Sequence, residues 1–163
     1  MKKIGLLSDT HGYWDERYAE YFNDCDEIWH AGDVGSLDIL DKLVKIKPIR
    51  AVAGNIDDAK LRAVYPDSMR FSIENIDVFM IHIGGYPGRY TPNVLKIMQS
   101  NPPQLFICGH SHILKVMFDK KYNSLTMNPG AAGKYGFHKV RTLIRFCIDN
   151  GNIKDLEVIE LAN

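Results

Sequence analysis

The sequence predicts an α/β fold, one domain of two packed mixed sheets flanked by helices, and three observations predict it. Short apolar runs alternate with helical patterns through the first half of the chain, each run ending in Gly, Asp, Asn or Ser. The second half pairs apolar runs across turn-forming residues, above all Asn150-Gly151. The length of 163 residues suits a single compact unit burying about 70% of its unfolded surface. Residues 1–163 are therefore read as one domain.

In chain order, Ile4–Leu7 reads as a strand ending in Ser8-Asp9, and Trp14, Tyr18, Tyr21 and Phe22 recur at helical spacing as a core-facing stripe. Glu27–His30 is a second strand, ending in Gly32-Asp33. Leu37, Leu40, Leu43 and Val44 mark a helix with Ser36 as N-cap and Pro48 beyond its end. Ile49–Ala53 is a third strand, closed by Gly54-Asn55, and this strand–helix–strand order implies parallel pairing. Asp57 and Asp58 start the next helix. Met69–Ile73 and Val78–Ile83 flank a turn over Glu74-Asn75-Ile76-Asp77. Pro92–Gln99 is a helix with Thr91 as N-cap, stopped before Pro102-Pro103. Leu105–Cys108, Leu114–Phe118 and Ser124–Met127 are strands, and Val140–Ile148 and Ile153–Ile159 form a closing hairpin.

Composition narrows the function. Twenty basic side chains balance twenty acidic ones, so no global positive field favours a stable nucleic-acid complex, and an anionic substrate must be held locally. No apolar run reaches the roughly 18 residues of a membrane span, and the apolar stretch near Met1 is too short for a signal peptide, which points to the cytoplasm. Cys25, Cys108 and Cys147 are far apart in mostly apolar segments and read as buried free thiols.

Open α/β sheets hold ligands at the carboxyl ends of their strands, where this chain carries its metal-competent side chains. Asp9 and His11 follow the first strand, Asp33 the second, Asn55 the third, His82 a later one, and His110 and His112 the one after that. These carboxylates, imidazoles and one carboxamide suit Mn²⁺ first, with Zn²⁺, Fe²⁺ or Ni²⁺ as alternatives. Gly32, Gly54 and Gly109 each precede a ligand, where the backbone must turn or approach an ion closely. A lone Asp-x-His is usually a cap or a surface feature, and Gly-Asp is usually only a turn. The ordered set carries the reading. Two dications about 3.5–4 Å apart need an anion between them, and Asp33 is expected to bridge. A hydroxide shared by the two ions would then attack phosphorus in line with the leaving oxygen.

Taken together, Asp-x-His at 9–11, Gly-Asp at 32–33, Gly-Asn at 54–55, His82 and Gly-His-x-His at 109–112 resemble the blocks of the calcineurin-like metallophosphoesterase superfamily. The length, the Gly-Asn-x-Asp form at 54–57 and the turn Asn128-Pro129-Gly130 are similar to its small single-domain phosphodiesterase branch. The resemblance spans about residues 4–133. It implies a four-layer α/β/β/α sandwich, one metal held by Asp9, His11, Asp33 and His112, and a second held by Asp33, Asn55, His82 and His110. Two departures stand out. Ile56 occupies the position where many relatives carry a histidine that serves the leaving group, and Ile83 rather than glycine follows His82.

Outside the blocks, His30 is expected to pack beside the ligands, and Asp57 to orient one of them. His138 follows the glycine-rich loop 130–136 and either folds over the metals as a proton donor or lies at the surface. Arg89 is a candidate guanidinium grip on phosphate oxygens. Tyr86 and Tyr90 either stack on an aromatic group of the substrate or pack beneath their loop. The catalytic set is thus Asp33, Asn55, His82, His138 and Arg89, acting on a small phosphorylated substrate, with nucleotides among the candidates and a diester favoured over a monoester. Oligomeric state, including a homo-oligomer, is left open. The competing class is a catalytically silent scaffold that keeps the fold for protein contacts. The full ligand set argues for the enzyme, because a scaffold has no use for a costly cluster of buried polar groups.

Overall fold

In the computed structural model, which describes residues 1–162, the chain runs through β1 (Lys2–Leu7), α1 (Glu16–Phe22), β2 (Glu27–His30), α2 (Leu37–Val44), β3 (Ile49–Ala51), α3 (Ala59–Arg62) and β4 (Ser68–Ile73). It continues through β5 (Ile76–Ile81), α4 (Pro92–Ser100), β6 (Leu105–Ile107), β7 (Leu114–Asp119), β8 (Ser124–Pro129), β9 (Arg141–Asp149) and β10 (Asn152–Leu161). One sheet has the order β10-β9-β1-β2-β3 and the other β4-β5-β6-β8-β7. Both are mixed. Strands β1, β2 and β3 are parallel, as are β5, β6 and β8, while β9, β10, β4 and β7 pair antiparallel.

Strand alternation sorts the core into layers. Ile4 and Leu6 of β1 join Trp29, Ile144 and Phe146 against Val78, Met80, Leu105, Ile107 and Met127 of the facing sheet. Leu7 and Ile28 point the other way, onto Tyr18 and Phe22 of α1 and Leu40 and Leu43 of α2. Gly5 seats α1, since a Cβ there would lie 2.5 Å from the Phe22 ring. On the far side, α4 lays Val94 and Met98 over Phe79 and Phe106. The result is the four-layer α/β/β/α sandwich.

Two local differences from the sequence reading have simple causes. The first hairpin turns on Glu74 and Asn75 alone, at φ 48° and 62°, the pair of positive angles a two-residue hairpin turn needs. Ile76 and Asp77 therefore enter β5 opposite Ile73 and Ser72. At α3 the cap is Asp58, which accepts from the Leu61 N–H, because the Asp57 carboxylate is engaged elsewhere. Among the described residues no helix is long and apolar enough to cross a membrane. Parallel pairing brings the carboxyl ends of β1, β2, β3, β5 and β6 to one edge of the sandwich, and every residue expected to bind metal follows one of them.

Candidate metal centre

The loops after these strands are held in costly conformations. Asp9, His11, Asp33, His110 and His112 have φ of 55°, 45°, 52°, 73° and 63°, the left-handed region that non-glycine residues seldom enter and that persists where surroundings over-determine it. Backbone bonds provide that restraint: Asp9 N–H to Gly32 O at 2.9 Å, His11 N–H to Asp33 O at 3.0 Å, and Gly109 N–H to His82 O at 2.9 Å. Gly54 and Gly109 serve by close approach. A Cβ on Gly54 would lie 2.1 Å from Asp33 Oδ1, and one on Gly109 2.2 Å from Ser8 Oγ.

Each acidic ligand candidate divides its two oxygens between the chain and the cluster. Asp9 Oδ2 accepts from Ser8 Oγ–H at 2.6 Å and His110 N–H at 3.0 Å. Its Oδ1 faces His112 Nε2 at 3.2 Å and the Nε2 atoms of His11 and His82 at 3.8 Å each. Asp33 Oδ1 accepts from the Ile56 N–H at 3.0 Å, while Oδ2 lies 3.2 Å from His82 Nε2 and 3.6 Å from His11 Nε2. The His82 ring donates from Nδ1 to the Ala31 carbonyl at 2.8 Å, which leaves the Nε2 lone pair facing the cluster. Asn55 Oδ1 sits 3.1 Å from His110 Nδ1, both residues exposed. Ligand atoms of Asp9, His11 and His112 lie within 4.8 Å of one another, as do those of Asp33, His82 and His110.

These atoms fit a cation. Among the described residues, the buried atoms Asp9 Oδ1, His11 Nε2 and His82 Nε2 lack a hydrogen-bond partner, each at a cost of about 1–3 kcal/mol unless something satisfies it. Positive charge satisfies all of them at once. Burial works against the charge on Asp33, yet His82, the Ile56 N–H and His11 hold its carboxyl below the usual range. Burial likewise opposes a charge on His82, but Asp33 and Asp9 beside it push its pKa up.

The surrounding residues divide clearly. His30, fully buried at the end of β2, has its pKa pushed down to about 3 by burial; its Nδ1 accepts from the Gly32 N–H and its Nε2 meets Thr10 Oγ1 at 3.0 Å. It braces the loops, as a packed histidine should. Asp57 accepts backbone N–H groups from Val34, Gly35 and Gly54 at 3.2, 2.9 and 2.7 Å, tying the loop after β2 to the loop after β3. Arg89 is exposed and lines a cleft with Asp119 and Tyr122 whose lining includes none of the ligand candidates. Tyr90 donates to Asp119 Oδ2 at 2.7 Å and packs there. Tyr86 does line the cleft beside His110, with the Lys115 ammonium 3.8 Å from its ring centre. Lys115 escaped the sequence reading because only strand pairing carries β7 to this cleft. His138 lies beside His112, and both of its ring nitrogens are hydrogen-bonded, to His112 Nδ1 and to the Gly133 carbonyl.

The model of the calcineurin-like phosphoesterase superfamily domain matches residues 1–151, a span that includes all of these ligand candidates. The chain belongs to this superfamily. Its relatives include a probable metallophosphoesterase of Methanothermobacter thermautotrophicus, 32% identical over 133 residues that cover 78% of this chain and 76% of that one. A solved archaeal phosphodiesterase superposes with a TM-score of 0.79 at 24% identity, covering 98% of this chain and 99% of the other. The zinc complex of Vps29 from Entamoeba histolytica gives 0.73 at 16% identity, covering 97% and 98%. At such identities the two structures show the shared fold. Superfamily membership, together with the donor cluster, makes this calcineurin-like domain a metal-dependent phosphoester hydrolase.

Proposed function

We propose that this calcineurin-like phosphoesterase is a phosphodiesterase working with two divalent ions, Mn²⁺ by preference. Asp9, His11, Asp33 and His112 hold one ion, and Asp33, Asn55, His82 and His110 hold the other. When bound, the ions supply Lewis acidity toward the phosphoryl oxygens and lower the pKa of water. Asp33 Oδ2, lying between His11 and His82, supplies the shared negative charge. Exposed Asn55 and His110 stand where the phosphoryl group enters.

The observation that carries the diester reading is that, besides a cleft lined by Asn55 and His82, two further clefts share His110. One, of about 280 Å³, is lined by His110, Ile83, Tyr86, Ile113 and Lys115. The other, of about 620 Å³, is lined by His110, His112, Ile113, Tyr135 and Phe137. Phosphorus seated at the ligands then has room for an organic group on either side. Lys115 provides a cation in the smaller cleft, the service first sought from Arg89. The proposed substrate remains a small phosphorylated molecule, nucleotides included, and the proposed location the cytoplasm.

The test compares bis(p-nitrophenyl) phosphate with p-nitrophenyl phosphate at saturating Mn²⁺. The diester should lead by at least about tenfold in kcat/KM, equivalent to about 1.4 kcal/mol, and chelation should abolish both activities. A monoester preference would overturn the diester reading. Metal binding with turnover of neither ester would instead favour the silent scaffold.

A further inference from the structure

We infer that His138 is a positioning residue that fixes which nitrogen of His112 faces the metal centre. The inference rests on the proposed role of His112 as a ligand and adds a residue to its control. His138 Nε2 lies 2.8 Å from the Gly133 carbonyl oxygen. A carbonyl only accepts, so Nε2 carries a proton, and with one proton per ring His138 Nδ1 is left as a bare acceptor. That nitrogen is 3.1 Å from His112 Nδ1. The contact needs one donor, so His112 must carry its proton on Nδ1. Its Nε2 then has a free lone pair, and Nε2 is the atom 3.2 Å from Asp9 Oδ1. The chain of bonds from Gly133 through His138 to His112 therefore selects the tautomer that can bind an ion.

The same logic operates at His82, where the Ala31 carbonyl holds the Nδ1 proton. At His112 a side chain does the work of a backbone carbonyl, because the ring faces the loop between β8 and β9 rather than a strand end. The relay is anchored at its far end. Gly133 N–H donates to Asp9 O at 3.1 Å, and the neighbouring Ala132 carbonyl accepts from Arg141 Nε at 2.7 Å and from Tyr18 Oη at 2.9 Å. His138 itself is half-buried in a surface loop, so its replacement leaves the sandwich core intact. With both nitrogens engaged, it is not free to deliver a proton to a leaving group.

Two readouts test the inference without relying on turnover. Nitrogen-15 NMR of the metal-free protein should show His112 protonated on Nδ1 and His138 on Nε2; His112 protonated on Nε2 would overturn it. Calorimetric titration with Mn²⁺ should show one of two binding events weakened by roughly 10–100-fold in His138→Ala, the usual range for loss of a residue that orients a ligand. His138→Asn offers an oxygen close to the place of Nδ1 and should recover most of that affinity, whereas His138→Gln reaches only toward Gly133 and should not. Recovery by Gln but not by Asn would show that His138 merely anchors the loop, and unchanged affinity in His138→Ala would also refute the role. Fewer than two ions bound to wild type would count against the two-metal reading, while the tautomer measurement would still decide this proposal.

Discussion

At the scale of single residues, the metal centre depends on carboxylates whose two oxygens have different duties. Asp33 gives Oδ1 to the Ile56 N–H and Oδ2 to the imidazoles. Asp33→Asn preserves an acceptor for Ile56 but removes the negative charge that the proposed pair of cations would require. Turnover at saturating Mn²⁺ should fall at least about 100-fold, the scale of losing a preorganised electrostatic group, and a variant keeping more than about a tenth of wild-type turnover would contradict the role. The exposed Ile56 side chain and the fully engaged His138 leave the leaving oxygen without an evident acid. Rates across diesters of graded leaving-group pKa should therefore fall steeply from aryl to alkyl alcohols. A flat series would mean that another group donates the proton.

At the scale of elements, strand ends had to be held in place before any ligand could act, and Asp57 holds two of them. Its carboxylate takes N–H groups from Val34 and Gly35 beyond β2 and from Gly54 beyond β3. Asp57→Ala strands these donors and should cost about 3 kcal/mol, lowering the melting temperature by roughly 6–12 °C for a domain of this size. A calorimetric shift of less than about 2 °C would show that the clamp is dispensable. The sequence reveals the elements well where the signal is local. Asn150 and Gly151 take the positive φ values that a two-residue hairpin demands, and Ser36 caps α2 through the Asp38 N–H. It reveals less where the partner is distant. That Asp57 would clamp loops rather than cap α3 depends on Val34, 23 residues away.

At the scale of the whole molecule, one buried charge network ties the end of the chain to its beginning. Arg141, the first residue of β9, is 2% exposed and donates to Asp15 Oδ2 at 3.0 Å across 126 residues. Bonds from Arg17, working against burial and joined by Arg141, hold the Asp15 carboxyl well below the usual carboxylate range. A depressed folded pKa gives stability that is fully present above the unfolded value of about 3.9 and lost as pH falls through the folded one. Asp15→Asn should therefore destabilise the protein at pH 7 by about 3 kcal/mol, by leaving the Arg141 charge uncompensated. The deficit should shrink below about pH 4, where the unfolded wild-type chain takes up a proton that the folded one does not bind. Melting temperatures measured from pH 3 to pH 7 check this, and a deficit constant with pH would contradict it. The same range of scales explains what the sequence disclosed about the site. Asp9, His11, Asp33, Asn55, His82, His110 and His112 could be nominated from sequence because all seven follow the ends of five strands. The partition of the Asp9 and Asp33 oxygens, the place of Lys115 and the cleft that Arg89 lines could not, since each depends on contacts between segments far apart in the chain. The central claim is that these ligands form one dinuclear centre, and its most direct test is the number of Mn²⁺ ions bound per chain at saturation, measured by elemental analysis after removal of free metal. Wild type should bind two ions, and Asp33→Asn fewer than two. One ion or none in wild type would contradict the claim.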